Sequence, residues 1–445
     1  LIRAKQGENM HLTKIKINGL HGQLDIEHNL VKGLNIIYAR NGSGKTTLLH
    51  IIANLLNNDI GQFLYIEFDS IEMTFSDNSK VVLEIRTRFM SDGHKHWDIS
   101  VNGKPAHYTD QDGNKSTQAI GICENALNLD HYKNNYPQKL GLKSDSLFEL
   151  KSFYQKTAYF PAFRIALDAM MLQSPHFSHL QLDKTSQARR LFGPFVSKVD
   201  YPGIEEIEAA LDEAVAIAAS TVADADRKIR LSVYTSIAKT MSKHGKKQAV
   251  EESDSVLEEV DKLAEGLLPV VPRISAETNG FKRSLKNLPE ETKLILAKGF
   301  LENLREIKYL ETESFRSLHK FLSSINGFFH EKSLQIDRGD KEHAASLFIE
   351  IAGKAFKGEP LHERLSSGEC QLLTLLFSTS FLEDEAIVLV DEPEISLHID
   401  WQRSLLKAFM NQMGQKQLIV CTHSPVLAAG HENRSAELKV TRRNR

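Results

Sequence analysis

The sequence predicts an α/β fold with a mixed or parallel sheet core, an antiparallel β layer and a large helical insertion. Three observations predict it. Near the start, an apolar strand runs into a glycine-rich turn and then an amphipathic helix. Near the end, strands and helices alternate, which is how a parallel sheet is written. Between them lies a long charged stretch whose apolar residues recur at helical spacing.

Residues 12–38 read as strands, with 12–17 half-buried and 34–38 an apolar run that meets the glycine turn. Residues 45–56 then set Leu48, Leu49, Ile52 and Leu55 on one helical stripe. Four β-like runs follow at 63–68, 71–75, 81–89 and 97–101. Clusters of Asp, Asn, Ser and Gly separate them, as in an antiparallel meander. From about residue 170 to 327 the spacing becomes helical: Ile204, Ile207, Leu211 and Val215; Val256, Val260, Leu263 and Leu267; Phe315, Leu318, Leu322 and Ile325. Pro269, Pro272 and Pro289 break this stretch into separate helices, and its seams are too short for a very long coiled coil. Strands return at 333–337 and 347–351. A helix from Gly368, a strand at 386–390, a helix at 399–410 and a strand at 417–421 complete the pattern. The expected domains are residues 10–169, the N-terminal part of the sheet domain with its meander; 170–330, the helical insertion; and 331–445, the C-terminal part.

Composition narrows the function classes. With 445 residues there is room for two or three cores. The balance of 55 Lys+Arg against 58 Asp+Glu excludes a uniformly cationic nucleic-acid coat and leaves room for local basic patches. Cys123, Cys370 and Cys421 cannot form a disulfide framework, which fits a reducing, cytoplasmic location. No apolar run approaches the roughly 18–20 residues of a membrane helix, so no membrane partner is expected. Residues 1–9 lack a signal peptide's apolar core and precede Met10, the expected natural start.

The strongest local signal is Ala39, Arg40, Asn41, Gly42, Ser43, Gly44, Lys45, Thr46 and Thr47. A phosphate chain requires inward backbone N–H groups, a helix N-terminus, a cation and a hydroxyl for Mg²⁺. Gly42 and Gly44 permit the backbone approach, Lys45 reaches the outer phosphates, and Thr46 ligates the metal. Residues 41–47 together are the binding candidates. Ala39 stands where the pattern G-x-x-x-x-G-K-[ST] has glycine. The bland alternative is a Gly-Ser turn capping a helix.

The apolar strand at 386–390 ends in Asp391, Glu392, Pro393 and Glu394. Acids at the carboxyl edge of a parallel sheet lie where ligands bind. Asp391 is the candidate for Mg²⁺, and Glu392 for the general base toward water. Ser366, Ser367 and Gly368 form a turn at a helix start, offering hydroxyls and N–H groups to an anion; an ordinary N-cap with Glu369 nearby is the alternative. The strand at 417–421 ends in Thr422, His423, Ser424 and Pro425, and His423 at that tip is the candidate contact to an outer phosphate.

In this order the motifs resemble those of the ATP-binding-cassette ATPases. The matching residues are 41–47, 365–369, 389–394 and 422–425; the insertion matches no motif. The resemblance implies an ABC-type ATPase fold, ATP and Mg²⁺ as cofactors, and Glu392, His423 and Lys45 as catalytic groups. It also implies a homodimer or higher homo-oligomer that sandwiches ATP between the lysine loop of one copy and Ser366–Ser367–Gly368 of the other. Glu394 followed by Ser396, Leu397 and His398 is most similar to the soluble recombination-type branch. Within it, the text resembles the ATPases of anti-phage systems: the Septu, retron-associated and PARIS ATPases and the overcoming-lysogenisation-defect enzymes. Ile399 and Asp400 replace the proline associated with the position after Leu-His, and the resemblance gives Asp400 a contact with the partner copy.

Few residues follow His423, so no fused nuclease is expected. The function expected is therefore an ATP hydrolase that controls a separate effector, such as an HNH or Toprim nuclease or a toxin. The alternative is a DNA-repair or chromosome-organising ATPase that clamps DNA; a transporter module fits less well.

Weaker candidates remain. Gln155 and Arg164 lie where a sensor loop would join the insertion. Arg189/Arg190, Arg227/Lys228/Arg230, Lys246/Lys247 and Lys282/Arg283 are basic clusters that meet nucleic-acid phosphates or form solvated helix faces. His94/His96 and His176/His179 have metal-like spacing without supporting ligands.

Overall fold

A computed structural model describes residues 10–89, 95–105, 107–109, 115–116, 142–143, 157–162, 184–193, 195–198, 201–240, 250–267, 274–337, 345–381 and 387–443. In chain order, β1 (Leu12–Leu20) and β2 (Leu24–Asn29) form an antiparallel pair, and β3 (Leu34–Tyr38) leaves it to run into the glycine turn. Helix α1 (Lys45–Leu56) follows the turn. Strands β4 (Ser70–Phe75), β5 (Lys80–Phe89), β6 (Lys95–Val101) and β7 (Lys104–Pro105) make the meander. Three short strands, β8 (His107–Thr109), β9 (Lys115–Ser116) and β10 (Leu142–Lys143), pair among themselves. Then come β11 (Thr157–Phe160) and α2 (Lys184–Phe192).

The middle of the chain holds α3 (Ile204–Thr240), α4 (Val250–Leu267), α5 (Ile274–Leu285) and α6 (Glu290–Asn326). Strands β12 (Lys332–Asp337), β13 (Ser346–Ile351) and β14 (Lys354–Phe356) and the single turn α7 (Leu361–Arg364) come next. The last part alternates: α8 (Ser367–Phe381), β15 (Ile387–Asp391), α9 (Ile399–Gln412), β16 (Gln417–Thr422), α10 (Pro425–Ala428), β17 (Ser435–Glu437) and β18 (Lys439–Arg442).

Two units result: the described parts of Leu1–Gly203 with Ser366–Arg445, and Ile204–Leu365. The first carries an antiparallel sheet in the order β18-β2-β1-β4-β5-β6-β7 and a parallel sheet in the order β11-β15-β16-β3-β17. Strand β1 alternates toward its core, burying Leu12, Ile15 and Ile17. Strands β15 and β16 are instead buried at every residue, because both faces of a parallel sheet are covered.

Residues 63–68, expected as a strand, do not form one. Residues Ile60–Tyr65 wind into a 3₁₀ helix, which brings Ile60 and Phe63, three apart, to the same buried side. Phe63 meets the rings of Phe68 and Phe195 edge-on, with centroids 5.8 and 5.6 Å away.

In the second unit, α3 and α6 each run 37 residues and pack together. Ile207, Leu211 and Val215 of α3, and Leu304, Ile307, Phe315, Leu318 and Leu322 of α6, are buried at helical spacing. The strands at 332–337 and 346–351 form an antiparallel sheet with β14. Two acids of α3 hold this unit together: Leu347 N–H donates to Asp212 at 2.6 Å, and Leu361 N–H donates to Glu208 at 3.0 Å. Burial raises the pKa of both carboxyls. Among the described residues, no helix is long and apolar enough to cross a membrane.

Candidate functional site

The parallel register sets the site. Asp391 pairs with Cys421 and Thr422 pairs with Tyr38, so β15, β16 and β3 end together at one carboxyl edge. The residues just past those ends are Glu392, His423 and the glycine turn. The sheet thus gathers groups from residues 38–47, 391–394 and 422–424 along a single line.

The turn after β3 needs its glycines. Gly42 and Gly44 have φ of 74° and 90°, the left-handed region, which other L-residues enter only at a cost of about 1–2 kcal/mol. Gly44 is the residue that opens α1. Behind it, Leu48, Leu49, Ile51, Ile52 and Leu55 are fully buried, each side chain worth roughly 1.5–3 kcal/mol.

The helix is also held by polar bonds. Ser197 N–H donates to His50 Nδ1 at 3.1 Å, Tyr159 Oη lies 3.4 Å from His50 Nε2, and Asn54 donates to the Phe195 carbonyl at 3.1 Å. Arg189 donates to the Val196 carbonyl at 2.7 Å and pairs with Asp59. Burial, helped by the Arg189 charge, pulls the His50 pKa down to about 3, so this imidazole is neutral.

Five groups converge in front of the turn. Lys45, 5% exposed, donates to the Ala39 carbonyl at 3.0 Å, and its Nζ lies 2.6 Å from His423 Nε2. That same nitrogen is 3.2 Å from Glu392 Oε1. Thr46 Oγ1 donates to Asp391 Oδ2 at 2.8 Å. Glu392 has φ of 48°, strained for a residue with a side chain, and its N–H donates to the Cys421 carbonyl at 2.8 Å. Burial raises the Glu392 pKa; the Glu394 charge adds to this and the Lys45 charge opposes it. Cys421 is wholly buried beside these groups, and burial pushes its thiol pKa well up.

Asn41, Gly42, Ser43, Gly44, Lys45, Thr46, Thr47, Glu392 and His423 line one cavity of about 340 Å³. The Ser43 hydroxyl is buried there and meets no hydrogen-bond partner among the described residues. A hydroxyl seeking a partner, a buried lysine and left-handed glycines fit a phosphate chain. Thr46 and Asp391, a hydroxyl and a carboxylate in contact with each other, are oxygen donors of the kind that suits Mg²⁺ beside phosphates.

The other glycine turn is arranged differently. Ser366 N–H donates to Glu369 Oε2 at 2.6 Å, and Glu369 N–H donates back to Ser366 Oγ at 3.4 Å, a reciprocal cap on α8. A Cβ on Gly368 would lie 2.8 Å from the Ser396 carbonyl oxygen. Gln371 Nε2 donates to the Pro393 carbonyl at 3.0 Å. Ser366 and Ser367 are exposed, and neither they nor Gly368 is among the described residues lining the cavity. Asp400 is exposed and pairs with Arg403 at 3.2 Å.

The sequence marks Glu394 as part of the Asp391-Glu392-Pro393-Glu394 run but assigns it no role in the site. In the structure its Oε1 accepts from Thr422 Oγ1 and from the N–H groups of His423 and Ser424, the latter two at 3.0 Å. An acid directly after Asp-Glu-Pro is the signal that pointed to it. Arg189, expected as a basic patch residue, is instead 8% exposed and paired with Asp59, and Lys282 pairs with Asp261. Gln155, Arg164, His94, His176, His179, Lys246, Lys247 and Cys123 lie outside the described residues, as do the side chains of His96, Arg190, Arg227, Lys228 and Arg230.

A family model described as "AAA ATPase domain" matches residues 10–428. No curated protein matches the chain. Among solved structures, the chain is similar to the Smc head domain with an extended coiled coil bound to the C-terminal domain of ScpA, from Pyrococcus furiosus. Identity there is 14%, 97% of this chain and 96% of that chain are covered, and the TM-score is 0.36. It is also similar to the SmcHead bound to the C-winged helix domain of ScpA, at 12% identity, 97% of each chain and a TM-score of 0.40. A third likeness is to the recombination mediator protein RecF-ATPrS of the RecFOR pathway, at 13% identity, 94% of each chain and a TM-score of 0.32.

Proposed function

The chain belongs to the AAA ATPase domain family, and from that premise we propose that it hydrolyses ATP between two copies of itself to control a separate effector in bacterial anti-phage defence. The observation that carries the hydrolytic part is the meeting of Lys45, Glu392 and His423 around one cavity, with Thr46 and Asp391 already in contact. Lys45 and the N–H groups of residues 42–47 hold the outer phosphates. Thr46 and Asp391 would hold Mg²⁺, which when bound would offset negative charge on the phosphates. Glu392 accepts the proton of the attacking water; its raised pKa makes it the stronger base for that step. His423 binds the terminal phosphate and keeps Glu392 aimed across the cavity.

Ser366, Ser367 and Gly368 contribute to the nucleotide of the second copy. The exposure of Ser366 and Ser367, and the absence of all three from the described lining of their own chain's cavity, support this reading. The text Asp391-Glu392-Pro393-Glu394 supports the defence branch, with an HNH or Toprim nuclease or a toxin as the effector.

The test is Glu392→Gln in ATP and Mg²⁺, followed by nucleotide binding, turnover and sedimentation. Binding is expected to persist while turnover falls about 100-fold or more and the closed dimer accumulates. A chain that stays monomeric at saturating ATP rules out the two-copy site. Ser367→Arg is expected to keep ATP binding and lose hydrolysis; full hydrolysis removes the cross-copy role. Tight DNA binding whose log affinity falls steeply with log salt would favour a DNA-clamping repair or chromosome-organising role instead.

A further inference from the structure

We propose that Glu394 is a positioning residue for ATP hydrolysis, acting through His423. The proposal rests on the hydrolytic reading of His423 and Glu392 above and extends it to a residue outside the cavity. One carboxylate oxygen of Glu394 receives three donors from three consecutive residues: the Thr422 hydroxyl, the His423 N–H and the Ser424 N–H. Hydrogen bonds to a carboxylate are roughly twice as strong as neutral ones.

The same loop is braced from two more directions. Ser424 N–H also donates to Thr422 Oγ1 at 2.9 Å, and Ser424 Oγ donates to Gln402 Oε1 of α9 at 2.9 Å. The backbone on both sides of His423 is therefore fixed, while its ring is left to reach Lys45 and Glu392. Pro393 separates Glu394 from Glu392, so the clamp joins the strand end that bears the candidate base to the strand end that bears the histidine. Without it, His423 N–H loses this acceptor while Thr422 stays paired with Tyr38 and Ser424 keeps its bonds to Thr422, Gln402 and Leu427, so the histidine itself is the part set loose and its ring swings away from both partners. Misplacement of a catalytic group by about 1 Å costs on the order of 100-fold in rate.

Glu394→Gln, Glu394→Ala, His423→Ala and the Glu394→Ala/His423→Ala pair test this in the full chain, with kcat and KM for MgATP and thermal melts. Glu394→Gln keeps an acceptor oxygen and is expected to stay within about threefold of the parent kcat. Glu394→Ala is expected to lower kcat about 10- to 100-fold with KM changed less than about threefold, and to slow the His423→Ala chain no further. Equal slowing of the parent and His423→Ala chains, or a Gln variant as slow as the Ala variant, overturns the proposal. If Glu394→Ala fails to fold, Thr422→Val removes one donor: a reduced kcat that vanishes in the His423→Ala background supports the proposal, and an unchanged kcat overturns it. A His423→Ala chain as fast as the parent removes the underlying reading instead, and is told apart because Glu394 never enters that measurement.

Discussion

Two glycine turns open helices in this molecule, at residues 42–44 and 366–368, and glycine serves opposite ends in them. At Gly42 a Cβ would meet nothing within 4 Å; the residue is glycine because φ is 74° and the loop must bend around an open cavity. At Gly368 the obstacle is steric: a Cβ would strike the Ser396 carbonyl oxygen at 2.8 Å. The first turn leaves a serine hydroxyl looking for a partner, whereas the second ties Ser366 and Glu369 to each other. One turn is built to receive something from within its own chain's cavity. The other is built to be held still and to present Ser366 and Ser367 outward.

The largest effect that sharpens this contrast belongs to Lys45→Ala. Losing the cation of the first turn is expected to weaken ATP binding about 100-fold or more, read by titration with a fluorescent nucleotide; unchanged affinity breaks the comparison at its root. Next is His50, the neutral imidazole under the first turn. Its folded pKa of about 3 lies below that of an unfolded histidine, so the unfolded chain binds a proton that the native one does not. This stabilising contribution is full above about pH 6.5 and is lost as pH falls toward 3. Denaturant melts at stepped pH are expected to show the decline, and His50→Asn to flatten it. The glycines follow. Gly368→Ala is expected to cost about 1–3 kcal/mol in a melt from overpacking alone. Gly42→Ala should cost about 1–2 kcal/mol from its φ and also weaken nucleotide binding; the reverse assignment, with Gly368→Ala impairing binding at unchanged stability, breaks the contrast. Smallest is Glu369→Ala, which removes half the cap on α8 for about 1 kcal/mol.

The site's nearest chemistry was legible in the sequence because it is local. An apolar strand, two glycines, Lys45 and Thr46 stand within residues 34–46, and Asp391 closes a five-residue strand with Glu392 directly after it. What could not be read depends on residues brought together by sheet pairing. Glu394 matters only because β15 lies beside β16, which carries Thr422, His423 and Ser424 to it. Arg189 resembles half of a basic patch until Asp59, far away in the chain, is found against it. Residues 63–68 contain apolar side chains at both alternating and three-residue spacings. A short run cannot choose between a strand and a 3₁₀ turn; packing on Phe68 and Phe195 does.

The parallel sheet has a consequence for synthesis. Leu34 of β3 pairs with Leu418 of β16, and Ile36 with Ser435 of β17, so the strand that ends in the first glycine turn gains its neighbours only when the last part of the chain emerges. At roughly 5–20 residues per second, a ribosome takes about 20–80 s to make the intervening stretch. For that time an apolar strand with open edges is exposed on the nascent chain, a target for chaperones and for wrong pairing with its own copies.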